Sequence, residues 1–210
     1  MSTEPDWLRW ARELQAIAQN GLAFSPGVYD RERYLQLRAL ASEMMGAYSG
    51  TAPERVSGFF AAERGYATPK VDVRGAVFDR QDRILMVREK ADHDRWTLPN
   101  DWADVNLSAA ESAVKEVREE SGYQVRALKL AALWDRTRQG HPPSELSACK
   151  VFYVCELLGG TATPSIETSE VGWFAEATLP PDLSLGRVLP RQLRRMFEHH
   201  RDPSLPTDFE

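Results

Sequence analysis

Apolar residues recur at helical spacing through the first 65 positions. In "DWLRWARELQAIAQNGLAFS", Trp7, Leu8, Trp10, Ala11, Leu14, Ile17 and Ala18 follow a helical repeat until Gly21 interrupts it. "YDRERYLQLRALASEMMGAYS" repeats the pattern with Tyr34, Leu37, Leu40, Met44 and Met45, and "APERVSGFFAAERGY" opens on Pro53, a residue suited to a first helical turn. The turn-forming run "GYATPK" closes this part. Two or three short amphipathic helices make a poor independent domain. Their apolar faces are expected to be covered by one another, by the rest of the chain or by a second subunit.

From Lys70 the apolar pattern becomes that of β-strands. "VDVRGAVFD", the turn "RQD" and "RILMVREK" read as a hairpin. The loop "ADHDRWTLPNDWADVNLS" leads into an acidic helix, with Ser108 its expected N-cap and Gly122 near its expected end. "QVRALKLAALWDRT", "ELSACKVFYVCELLGG" and "VGWFAEA" supply further strands, and "LPRQLRRMFEHHR" a closing helix. Strands and helices do not alternate regularly, which predicts a mixed sheet flanked by helices rather than a doubly wound parallel one. The expected organisation is a helical extension at 1–66, an α/β domain at 67–203 and a frayed tail at 204–210.

Composition narrows the class. With 210 residues, 42% of them hydrophobic and 27% charged, the chain can bury a core and holds one domain, with or without an appendage. A net charge of -5 lacks the basic excess that nucleic-acid binding usually requires, and leaves a small nucleotide as the possible phosphate ligand. No run reaches membrane-spanning length and no export leader precedes the helices, so a cytoplasmic protein is expected. Cys149 and Cys155, on one strand, stand roughly 20 Å apart at ~3.3 Å per residue and cannot pair.

The acidic helix carries the candidate chemistry. Glu116, Glu119 and Glu120 stand three and four positions apart, on one helical face, and repel one another unless a positive charge sits among them. An E-x-x-E-E run by itself is most often a solvated face. Here it follows "RWTLP" and precedes a helix-ending glycine, and "WTLPNDWADVNLSAAESAVKEVREESGY" resembles the Nudix box, G-x5-E-x7-R-E-U-x-E-E-x-G-U with U apolar. Glu116, Val117, Glu119, Glu120, Gly122 and Tyr123 fit the pattern. Asp101 replaces its first Gly, Leu107 its first Glu and Lys115 its Arg, and Pro99-Asn100-Asp101 stands where Pro-Gly-Gly is usual.

The resemblance implies a Nudix-type α/β/α sandwich with a mixed sheet behind a small all-helical extension. It implies Mg²⁺ or Mn²⁺ on Glu116, Glu119 and Glu120, whose hard oxygens suit such ions, and pyrophosphate hydrolysis. It also implies phosphate binding by Arg74 and Arg88, and a general base on the loop before a late strand, with Glu170 favoured over Glu167. The departures predict reduced activity. Lys115 supplies charge without a planar fork, Leu107 removes polar ties, and Asn100 and Asp101 stand where glycines permit positive φ. The four histidines are expected in solvent-exposed roles; Trp134 and Trp173 are expected in the core.

The amino-terminal run is similar to the extension of Nudix proteins of the CDP-choline and ADP-ribose pyrophosphatase type. That implies a nucleoside diphosphate conjugate as substrate, CDP-choline ahead of ADP-ribose, and a homodimer through the helices. The competing reading is a catalytically silent Nudix-fold protein that binds a ligand or serves assembly.

Overall fold

The computed structural model describes residues 4–210 and divides into two compact units, Met1–Pro69 with Pro143–Ser147, and Lys70–Pro142 with Ala148–Glu210. The first holds α1 (Asp6–Phe24), α2 (Val28–Ser49) and α3 (Pro53–Ala62). Leu8 and Ala11 of α1, Ala41 and Met45 of α2, and Val56 and Phe60 of α3 form its core. Trp7 stacks on Tyr48 with ring centroids 5.0 Å apart. Gly21 does not end α1; it lies within the helix, where a Cβ would collide with the ring of Tyr34. Trp10, Ile17 and Leu40 remain about half exposed, because three short helices enclose only the centre of the apolar pattern.

The second unit is built on a mixed sheet. Its elements are β1 (Lys70–Phe78), β2 (Ile84–Glu89), β3 (Arg95–Thr97), β4 (Asn100–Trp102), α4 (Ala109–Ser121), β5 (Tyr123–Asp135), β6 (Ala148–Gly160), β7 (Thr168–Phe174), α5 (Pro190–Arg201) and β8 (Asp208–Phe209). The sheet runs β3-β2-β1-β6-β5-β8, with β4 also on β1 and β7 on β2. β1 and β6 are parallel, whereas β5 and β6 are antiparallel. Strand alternation sorts the two faces. Val73 and Val77 of β1 pack with Ala113 and Val117 of α4, and Gly75 between them has no Cβ to collide with Val117. Ala76 and Phe78 pack with Leu193, Met196 and Phe197 of α5. Helices on both faces make the α/β/α sandwich that the box resemblance implied.

Three expectations need correction. The loop before α4 contains the short strands β3 and β4, which pair with β2 and β1. The tail is not frayed: β8 pairs in parallel with β5, Asp208 accepts from Arg195 at 2.7 Å, and Lys129 Nζ donates to the Pro203 carbonyl at 3.0 Å. Two of the four histidines, His141 and His199, are buried. His141 Nδ1 donates to the Leu185 carbonyl at 2.7 Å, and burial beside Lys150 lowers its pKa to about 3. Trp134 lies in the main core and Trp173 packs partly buried beside α4. Among the described residues, no helix is long and apolar enough to cross a membrane.

Candidate active site

Both ends of α4 are fixed by local chemistry. Ser108 Oγ accepts from Glu111 N at 3.2 Å while the Glu111 carboxylate accepts from Ser108 N at 2.8 Å, a reciprocal cap. At the other end Gly122 has φ +78°, and any side chain there would meet the backbone of Thr161. So held, α4 buries Glu116 and Glu120 to 4% and 2% exposure, while the Glu119 side chain stays about half exposed.

The two buried carboxylates are poorly compensated. Glu120 Oε2 accepts from Asn100 N at 3.1 Å. Burial, together with the charges of Glu89, Glu116 and Glu167, nevertheless raises the Glu120 pKa to about 9. The pKa of Glu116 is also raised. Burial is the main cause, Lys115 opposes it, and Asp101 and Glu119 add to it.

The positive charge among the glutamates is Lys115. Its ammonium lies 3.0 Å from Asp104, 3.0 Å from Glu116 and 3.1 Å from Glu119, and these carboxylates hold its pKa well above the ordinary lysine value. Among the described residues no three acidic, histidine or cysteine side chains converge on a point that could hold a metal ion. In this arrangement Glu119 and Glu116 turn to Lys115, and Glu120 accepts from the Asn100 amide. The donor set still suits a hard divalent ion: Glu116 and Glu120 are a helical turn apart and buried, Glu116 with Lys115 as its ion partner and Glu120 with the Asn100 amide alone.

Other expected site residues fall in different places. Arg74 is not a free phosphate clamp. Strand alternation puts it with Ala76 on the α5 face, it is 1% exposed, and its guanidinium donates to Asp72 at 2.7 Å. Lys150 Nζ reaches the same Asp72 oxygen at 2.7 Å, so two buried cations share one carboxylate, and the Lys150 pKa is lowered to about 7, chiefly by burial and secondly by Arg74. Arg88 is about one-third exposed, bonded to Asp182 at 3.1 Å and poised over the Trp96 ring at 5.2 Å. Glu170 is mostly exposed, 3.5 Å from Arg88. Glu167 adds, after Glu89 and Glu116, to the negative charge around Glu120. Asn100 and Asp101 lie in β4, and neither has positive φ, so both fit extended backbone without strain. Leu107, 40% exposed, precedes the cap.

Glu89 is a candidate site residue that the motif did not disclose. It is 6% exposed at the end of β2, paired with Thr168, whose hydroxyl donates to the Glu120 carbonyl at 2.8 Å. Its signal was its alternation with Leu85 and Val87, which turns a glutamate inward at the end of an apolar strand.

An α/β/α sandwich presenting paired carboxylates from a doubly capped helix beside β1 defines a Nudix hydrolase. The chain belongs to this family: the NUDIX domain profile matches residues 68–194, and a profile described as "UDP-X-like, N-terminal oligomerisation domain" matches residues 5–60. The chain is 44% identical over 210 residues, all of both chains, to YjhB of Bacillus subtilis (strain 168), provisionally named an ADP-ribose pyrophosphatase. The structure of an ADP-ribose pyrophosphatase from Streptococcus suis 89-1591 shares 39% identity with a TM-score of 0.61, over 68% of this chain and 100% of that one. A UDP-X diphosphatase structure shares 30% identity with a TM-score of 0.61, over 100% of this chain and 99% of that one.

Proposed function

We propose that this chain is a divalent-metal-dependent pyrophosphohydrolase of a nucleoside diphosphate joined to a second moiety. The observation that carries the reading is the buried, under-compensated pair Glu116 and Glu120, since burying like charges is costly unless a cation joins them. Glu116 and Glu120 would hold Mg²⁺ or Mn²⁺, with Glu119 as a third donor on leaving Lys115. Such an ion, when bound, polarises phosphoryl oxygens and lowers the pKa of water. Glu167, just before β7, is the candidate to take a proton from the attacking water, since Glu170 lies on β7 and is 3.5 Å from Arg88. Lys115 cannot orient the glutamates through a fork as arginine does, which supports a slow turnover.

Within the substrate class, the names of two relatives favour ADP-ribose over the CDP-choline suggested by the helical extension, and a third points to UDP-linked compounds. The test offers ADP-ribose, CDP-choline and UDP-glucose to the protein with Mg²⁺ or Mn²⁺ and separates the products. The expected result is AMP released fastest, from ADP-ribose, and lost on chelation. Absence of nucleoside monophosphate from every conjugate would overturn the reading.

A further inference from the structure

Segment 182–188, between β7 and α5, is fastened far more firmly than a surface loop requires. Trp96 N donates to the Asp182 carbonyl at 3.0 Å and Ser184 N to the Trp96 carbonyl at 2.8 Å. Ser184 Oγ donates to Asp92 at 2.5 Å, His141 holds the Leu185 carbonyl, and buried Lys150 donates to the Arg187 carbonyl at 2.8 Å. Arg187 N returns to the Ser184 carbonyl at 2.8 Å. Two buried nitrogen groups are thus committed to the backbone on either side of Gly186.

The side chain that this backbone presents is only loosely engaged. The Arg187 guanidinium lies 3.6 Å from Glu89 and 3.9 Å from Asp92, is about one-third exposed, and donates no hydrogen bond to a described residue. Arg74, by contrast, is enclosed and bonded at 2.7 Å. Glu89, beside Arg187, pairs across the sheet with Thr168, whose hydroxyl donates to the Glu120 carbonyl at 2.8 Å. A fixed backbone therefore holds a planar, five-donor cation at the edge of the acidic group, with its donors still available. Pyrophosphate is the chemistry such a fork matches, through paired N–H···O contacts.

We propose that Arg187 binds the pyrophosphate of the substrate, the task that the family resemblance implied for Arg74 and Arg88. This rests on the pyrophosphohydrolase reading for its substrate class. The residue's fastenings use its backbone N and carbonyl, so Arg187→Ala leaves the loop's ties in place.

The test compares the parent with Arg187→Ala and Arg187→Lys in two measurements. One is calorimetric binding of ADP in the presence of chelator; the other is ADP-ribose kinetics with Mg²⁺. Losing a charged bidentate contact is expected to weaken ADP binding and raise KM on the order of ten- to a hundredfold. The lysine variant recovers part of the loss, and the Mg²⁺-induced rise in Tm stays that of the parent. ADP affinity and KM unchanged in either folded variant would overturn the proposal, as would a parent that binds no ADP. A parent that hydrolyses nothing yet binds ADP through Arg187 would sink the catalytic reading alone. Should Arg187→Ala fail to fold, the lysine variant carries the comparison, and full ADP affinity there contradicts the fork.

Discussion

Lys115 holds Asp104, Glu116 and Glu119 around one ammonium, and so does internally part of what a bound cation would do. Truncation to Lys115→Ala leaves the buried Glu116 without its ion partner. Metal-free stability is expected to fall by about 1–2 kcal/mol, and added Mg²⁺ to raise Tm more in the variant than in the parent. Thermal melts with and without chelator decide this; an equal Mg²⁺ shift in both proteins would show that Lys115 and the metal do not compete for the same carboxylates. His141 supplies a pH signature of a different kind. Its pKa is about 3 in the fold against an ordinary ~6.5, so its contribution is complete above the ordinary value. It is lost as pH falls from there towards 3, because the unfolded chain takes the proton first. His141→Gln should flatten the fall of stability with acid in urea titrations between these limits. An unchanged slope would place acid sensitivity elsewhere.

At the scale of elements, β4 changes the meaning of the altered box. Asn100 and Asp101 sit extended against β1 in register with Arg74 and Val73, and the Asn100 amide holds Glu120. Glycine there is expected to bring no gain in turnover and to cost about 0.5–1 kcal/mol per position through added chain entropy. Lys115→Arg should raise turnover. Kinetics and urea unfolding of Asn100→Gly, Asp101→Gly and Lys115→Arg check the contrast, and a large rate gain from the glycines alone would contradict it. The hairpin, the β5, β6 and β7 segments and α4 with both its ends were legible, because period, capping residue and terminal glycine are local signals. β4 was not, as Asn100-Asp101-Trp102 become a strand only when β1 arrives beside them. The tail was misread for the same reason. One proline and two acidic residues look frayed until Arg195 and Lys129 supply partners from elsewhere. In the site, the glutamates of the helix could be read from spacing. Arg74 misled because its face depends on which helix covers which side of the sheet, and Glu89 lacked a motif.

At the scale of the whole molecule, the helical unit exposes more apolar surface than its own core can use. Phe24, Val28, Tyr29 and Tyr48 are all more than 60% exposed, and the matching profile is described as an oligomerisation domain. A homodimer through these helices is expected at micromolar concentration, and a chain beginning at Thr68 is expected to sediment as a monomer; full dimerisation of that shortened chain would move the interface to the α/β unit. Glu116 and Glu120 are proposed to hold the cation that drives pyrophosphate cleavage. The most direct test is the rate of AMP release from ADP-ribose as Mg²⁺ is titrated, in the parent and in Glu120→Gln. The rate is expected to saturate with Mg²⁺ in the parent and to fall on the order of a hundredfold or more in the variant. A variant that matches the parent in rate and in Mg²⁺ dependence, or a parent whose cleavage of ADP-ribose is indifferent to Mg²⁺, would contradict it.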